Sequence, residues 1–186
     1  MKWHRLLGLI VIGIALAACN GSEPRAAAST TPPSGTPPST TPPNEGEPDP
    51  DVRALFEAYV KTLNDHELTK SQEFFAPQFI LADPGGHVIA QNDEARKQAI
   101  AKEDAYYKDT LGMTSTRLVS IKQTAQDKHH VFVRTVWGCT FKKTGDRVID
   151  FPLSFIVERT GPSPKIIMHI VEADEPKIFR ENGLIP

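Results

Sequence analysis

Cysteine is nearly absent from this chain of 186 residues, which has only Cys19 and Cys139. With Cys19 committed to the N-terminal motif described below, Cys139 has no partner for an intrachain disulfide, and the fold must rest on its core. Basic excess is also missing. Lys and Arg number 21 against 23 Asp and Glu, a formal net charge of −2. That balance supplies too few cations for the phosphate contacts that dominate nucleic-acid affinity, so nucleic acid is excluded as a partner. The apolar run Leu6–Ala17 is about a dozen residues, short of the ~20 needed to span hydrocarbon. Glycine-rich phosphate loops and a nucleophile elbow are absent. His129 and His130 are adjacent on a strand pattern and point to opposite faces, with no further ligand at metal-site spacing. The sequence calls for no metal and no cofactor.

What is present begins at the N-terminus. Lys2 and Arg5 precede Leu6–Ala17, and the run closes on Leu16-Ala17-Ala18-Cys19. A positive start, a short apolar core and a small-residue exit make a secretory signal peptide. With a cysteine directly after Leu-Ala-Ala, the stretch resembles the lipobox of bacterial lipoproteins. The resemblance implies cleavage before Cys19, a diacylglycerol on its sulfur and an acyl chain, such as palmitate, on the new N-terminus. The expected location is the cell envelope on the non-cytoplasmic side. Asn20 after the cysteine points to the outer membrane where the host has one.

Residues 1–18 are thus read as signal, 19–50 as lipidated cysteine and tether, and 51–186 as the folded domain. The tether repeats Thr31-Pro32-Pro33, Thr36-Pro37-Pro38 and Thr41-Pro42-Pro43 amid Ser, Gly and Glu. It has too few apolar residues to offset the entropy of ordering. In polyproline geometry it reaches on the order of 90 Å at most. The domain, about 135 residues, is near the common domain size, where burial alone is sufficient.

Within the domain, Asp49-Pro50 starts an amphipathic helix that carries Val52, Leu55, Phe56, Tyr59, Val60 and Leu63 at helical spacing. A second helix spans Glu67 to Phe75, stopped by Pro77. Short strands at Gln78–Leu81 and His87–Ala90 flank the turn Asp83-Pro84-Gly85-Gly86. Asn92 caps a third helix that runs to Leu111 and ends at Gly112. Four long strands follow: Thr114–Ala125, His130–Lys142, Arg147–Arg159 and Lys165–Glu172. The turn residues between them predict an antiparallel meander. Gly138 and Pro152 predict bulges, and bent strands of that length wrap into a curved sheet whose concave side the helices can fill.

The expected fold class is α+β, a curved antiparallel sheet of four long strands packed against N-terminal helices. The helix Val52–Leu63, the run Phe75-Ala76-Pro77-Gln78-Phe79 into Asp83-Pro84-Gly85-Gly86, and the closing strand Pro164–Ile170 resemble the SnoaL-like branch of the nuclear transport factor two superfamily. The resemblance implies a cone-shaped, cystatin-like roll with a pocket between sheet and helices. Its members include isomerases, dehydratases, cyclases and binding modules, so it does not imply one activity.

Candidate pocket residues are Tyr59, Tyr106, Tyr107, Trp137, Cys139, Phe155 and His169, and the catalytic candidates are His169 and Asp83. Trp137 and Cys139 share a strand face with Val131, Val133, Thr135 and Phe141. His169 alternates with Ile167 and Val171, where a general acid or base near neutral pH could stand. Asp83 before Pro84 also suits the turn itself. Cys139, without a cationic neighbour in sequence, reads as a small buried hydrophobe. The last strand is apolar on both faces, with Ile166, Met168 and Ile170 on one and Ile167 and Val171 on the other. The outer face therefore needs a cover, for which a second copy of the chain is expected, with the C-terminal segment from Lys177 as the other option. The leading expectation is a tethered domain that binds a small apolar ligand or a protein partner without catalysis. The alternatives are an acid–base enzyme using His169 with Asp83 or a Tyr, and a structural accessory domain of an envelope assembly.

Overall fold

The structure, a computed structural model, describes residues 45–186; the expected signal and lipobox and most of the expected tether lie outside the described residues. The elements are α1 (Pro50–Asn64), a 3-10 helix (Leu68–Phe74), β1 (Phe75–Asp83), β2 (Gly86–Gln91) and α2 (Glu94–Ala105), which continues as a π-helical turn (Tyr106–Leu111). Then come β3 (Met113–Ala125), β4 (His130–Phe141), β5 (Ile149–Glu158), β6 (Lys165–Val171) and α3 (Glu175–Glu181). The sheet is open, in the order β2-β1-β6-β5-β4-β3. The four long strands form the expected meander. The short hairpin joins the same sheet because β1 runs parallel to β6, while every other pair is antiparallel.

Local chemistry explains most boundaries. Pro50 fits the first turn of α1, but the Asp49 carboxylate does not cap it; it accepts from Gln123 at 2.9 Å and pairs with Arg159 at 2.6 Å. Val52, Leu55 and Phe56 are the buried stripe. At the far end, the Asn64 amide donates to Thr116 O and accepts from Thr116 N, which docks α1 on the free edge of β3. Asp93, not Asn92, caps α2 by accepting from Arg96 N at 2.9 Å. Asn92 instead donates to Gln72 O and Phe75 O, tying α2 to the 3-10 helix. Gly112 ends the helical stretch in the left-handed region at φ 71°, as its position predicts. Pro77 does not stop the second helix: the chain is already extended from Phe75, and Pro77 lies where β1 slips register against β6.

The bulges are not at Gly138 or Pro152. Register shifts fall between Met113 and Ser115, between Leu118 and Ser120, and between Ile156 and Val157 of β5. Gly138 is needed for close approach, since a Cβ there would stand 2.7 Å from Val148 Cγ1 and 2.8 Å from Val119 Cγ2. Pro152 turns its carbonyl toward β6, where Glu172 N donates to it, one position past the last pair, Leu153–Val171. Its missing N–H thus falls just outside the β5–β6 ladder. The β5–β6 shift also corrects the reading of the last strand. Val157 pairs with Ile166 and Ile156 with Met168, so Ile167 is the extra residue. Ile166 is buried in the core, not on the face of Met168 and Ile170.

The core lies on the concave side, where Phe56 packs on Phe155 with ring centroids 4.8 Å apart and Tyr59 on Trp137 at 5.1 Å. The C-terminal segment joins it there. Asp174 caps α3, and Phe179 is fully buried against Tyr107, Phe141 and Phe151. It does not cover the outer face of the sheet. Residues 45–49, tether by composition, lie along the β3 edge: Gly46 pairs with Gln123, and Glu47 reaches Lys122 and Arg53.

Candidate functional site

Between the concave sheet and the helices is a cavity of about 110 Å³. Its wall is mostly aromatic and aliphatic, from Tyr59, Phe75, Phe79, Trp137 and Phe151 among others. Five of the sequence candidates line it: Tyr59, Tyr107, Trp137, Cys139 and His169. Phe155 is behind the wall, fully buried and stacked on the His169 ring at 4.7 Å and 11°. Tyr106 is beside Tyr107 but is not among the lining residues. Asp83 stays outside. It lies in the β1–β2 turn, where its Oδ1 accepts from Gly85 N, so the structure does not assemble the pair His169–Asp83.

Three charged residues that sequence reasoning missed are brought to the wall: Arg96, Glu103 and Glu175. Arg96, Ile100, Glu103 and Tyr107 follow at spacings of four, three and four, one continuous helix face. The signal was therefore in the sequence, but two charges on the stripe read as a solvated surface. Arg96 Nη1 bonds Glu103 Oε1 at 3.1 Å, with side-chain exposures of 15% and 10%. Glu175, in the first turn of α3, enters the cavity from the C-terminal segment.

Burial governs the protonation of this cluster. Desolvation pushes Glu103 up to about 7, against the pull of Arg96. It pushes Glu175 up to about 8, with help from the charges of Glu103 and Asp83. His169 is driven down to about 3 by desolvation and by Arg96, so its imidazole is neutral in the cavity. Burial raises the Tyr59 and Tyr107 hydroxyls well above their usual range and the Cys139 thiol to about 11. Cys139 is accordingly an inert wall residue, in contact with Thr116. Trp137 Nε1 donates to Thr135 Oγ1 at 2.6 Å, which fixes the indole. Two buried nitrogens of the wall residues have no partner, Arg96 Nε and His169 Nε2. Among the described residues no group of three His, Cys, Asp or Glu is placed to hold a metal, and no helix is long and apolar enough to cross a membrane.

No protein-family model matches the sequence, and no curated protein is similar to it. Solved structures do share the fold. An NTF-2 like protein of unknown function from Shewanella oneidensis is 16% identical, with a TM-score of 0.52 over 66% of this chain and 97% of that one. The β subunit of a benzoate 1,2-dioxygenase from Burkholderia mallei is 12% identical, with a TM-score of 0.51 over 68% and 91%. A putative scytalone dehydratase from Novosphingobium aromaticivorans is 13% identical, with a TM-score of 0.50 over 64% and 79%. The fold is thus the NTF2-like, cystatin-like α+β roll. Identities this low establish the fold alone, and proteins that share it include both enzymes and proteins of unknown function.

Proposed function

We propose that this domain holds a small, mostly apolar molecule in its cavity without transforming it, on a lipid-anchored tether in a bacterial envelope. The cavity carries the reading: an aromatic wall with a few fixed polar groups is the usual form of a small-molecule site. The non-catalytic form rests on His169, whose basicity is suppressed, and on Asp83, which is outside the wall. An acid–base enzyme is the second reading, favoured by the raised Glu103 and Glu175 rather than by His169.

The anchor is proposed from Leu16-Ala17-Ala18-Cys19. Replacing Cys19 with Ala should abolish incorporation of labelled palmitate, and unchanged incorporation would contradict the anchor.

A second copy of the chain is proposed as the cover of the outer sheet face. An apolar row crosses five adjacent strands there: Phe132, Ile156, Met168, Ile80 and Ile89. Ile89 is 65% exposed, and the C-terminal segment packs on the other side of the sheet. Native mass spectrometry of the protein purified from its own envelope tests ligand and oligomer together. The expected species is a dimer with a non-covalent adduct. Met168→Glu should give a folded monomer that keeps the adduct, whereas Ile166→Glu should unfold the domain by burying a carboxylate in the core. A monomer without adduct would contradict both readings.

A further inference from the structure

The cavity wall leaves two buried nitrogens without partners, and they are of unequal kind. Arg96 Nε always carries hydrogen and can only donate. His169 Nε2 belongs to a neutral imidazole and donates or accepts according to its tautomer. Buried polar groups in folded proteins are rarely left unpaired, because each orphan loses its hydration with nothing in return. Both residues line the same cavity, which makes a ligand there the candidate partner for the two nitrogens.

The charges already present limit what that ligand group can be. The guanidinium is committed to Glu103 through Nη1 at 3.1 Å, and Glu175 adds a second carboxyl to the wall. An anionic ligand would have to compete with Glu103 for the guanidinium, the only Lys or Arg group of the wall. A neutral carbonyl oxygen accepts from Nε without disturbing the Arg96–Glu103 pair. Size sets a further limit. An engineered apolar cavity of ~150 Å³ binds benzene, so one of about 110 Å³ suits a single ring or a short branched chain rather than a fused polycycle.

Resting on the binding function proposed above, we infer that the cavity selects small neutral carbonyl compounds, such as single-ring ketones, aldehydes, esters or lactones, by a hydrogen bond from Arg96 Nε to the carbonyl oxygen. His169 Nε2, in its N–H tautomer, is a second unpaired donor among the residues of the same wall. The apolar body of the ligand lies against Tyr59, Trp137 and Phe151.

Three matched probes test this on the full chain in lipid nanodiscs, with empty nanodiscs as blank and fluorine NMR as the readout. They are para-fluoroacetophenone, para-fluorotoluene and para-fluorobenzoate. The ketone should bind about tenfold more tightly than the toluene, as one charge-assisted hydrogen bond predicts, and more tightly than the benzoate. Arg96→Lys keeps a positive charge beside Glu103 but removes Nε, so it should erase the preference for the ketone while the toluene still binds. Equal binding of ketone and toluene to the unaltered chain would mean that water satisfies the two nitrogens, and would overturn the inference while leaving a binding cavity. Tightest binding of the benzoate, or a ketone preference that survives Arg96→Lys, would also overturn it. No binding of any probe would overturn this inference and the binding function beneath it together.

Discussion

The domain is expected to melt at a higher temperature at pH 5 than at pH 8.5. Glu103 and Glu175 carry folded values of about 7 and about 8 against an ordinary 4.5. Because the folded state holds these protons more tightly, their contribution is fully present below pH 4.5. It is lost as pH rises toward 8 and both groups must ionise out of water's reach. His169 works in the opposite direction, with a folded value of about 3 against 6.5. Its contribution is present above pH 6.5 and is lost as pH falls toward 3. Two carboxyls outweigh one imidazole between 4.5 and 6.5, and above 6.5 only the carboxyls act, so the maximum lies near pH 5. At 1.36 kcal/mol per pKa unit, a loss of a few kcal/mol by pH 8.5 is expected, on the order of 10 °C in Tm. Glu103→Gln with Glu175→Gln should remove the fall toward pH 8.5 and leave the rise to about pH 6.5 that His169 supplies. A Tm that climbs from pH 5 to pH 8.5 in the unaltered protein would refute the buried acidic cluster.

Phe155→Ala should destabilise the domain by about 3–5 kcal/mol, the range for emptying a buried aromatic site. Phe155 is fully buried, stacked on His169 and packed against Phe56. It joins α1 to the centre of the sheet and holds the His169 ring in the wall. The expected result in urea is a lower midpoint with an unchanged slope. Phe132→Ala, on the half-exposed outer face, should cost distinctly less in the monomer. Equal losses for the two would contradict the assignment of inner and outer faces.

How far the sequence could be read depended on the range of the interaction involved. The stripe Val52–Leu63, the cap role of Gly112 and the four long strands are local patterns, and each reappears within a few residues of its expected place. The parallel pairing of β1 with β6 is a contact between distant segments that no local period encodes. Ile166 was misplaced because strict alternation knows nothing of the extra residue Ile167. On the site, the aromatic wall was legible since Tyr59, Tyr107 and Trp137 fall on apolar faces. Arg96 and Glu103 were not, because each charge alone reads as solvated and only their mutual bond makes burial tolerable. Glu175 arrives on a seven-residue helix too short to show a period, and the buried residue of that helix, Phe179, is four residues further on.

The cavity itself is open to one direct measurement. The chain has two tryptophans, Trp3 and Trp137, and the indole N–H resonance of Trp137 is the one that Trp137→Phe removes. That N–H is fixed on Thr135 Oγ1, and its ring lies in the cavity wall. Titration with a small neutral ring compound should move this resonance to saturation, with Arg96 and Ile100 amides following and those of the outer-face residues Ile80 and Ile156 unmoved. An indole resonance that stays in place at saturating ligand, or one that moves only together with the outer face, would contradict a ligand-binding cavity between sheet and helices.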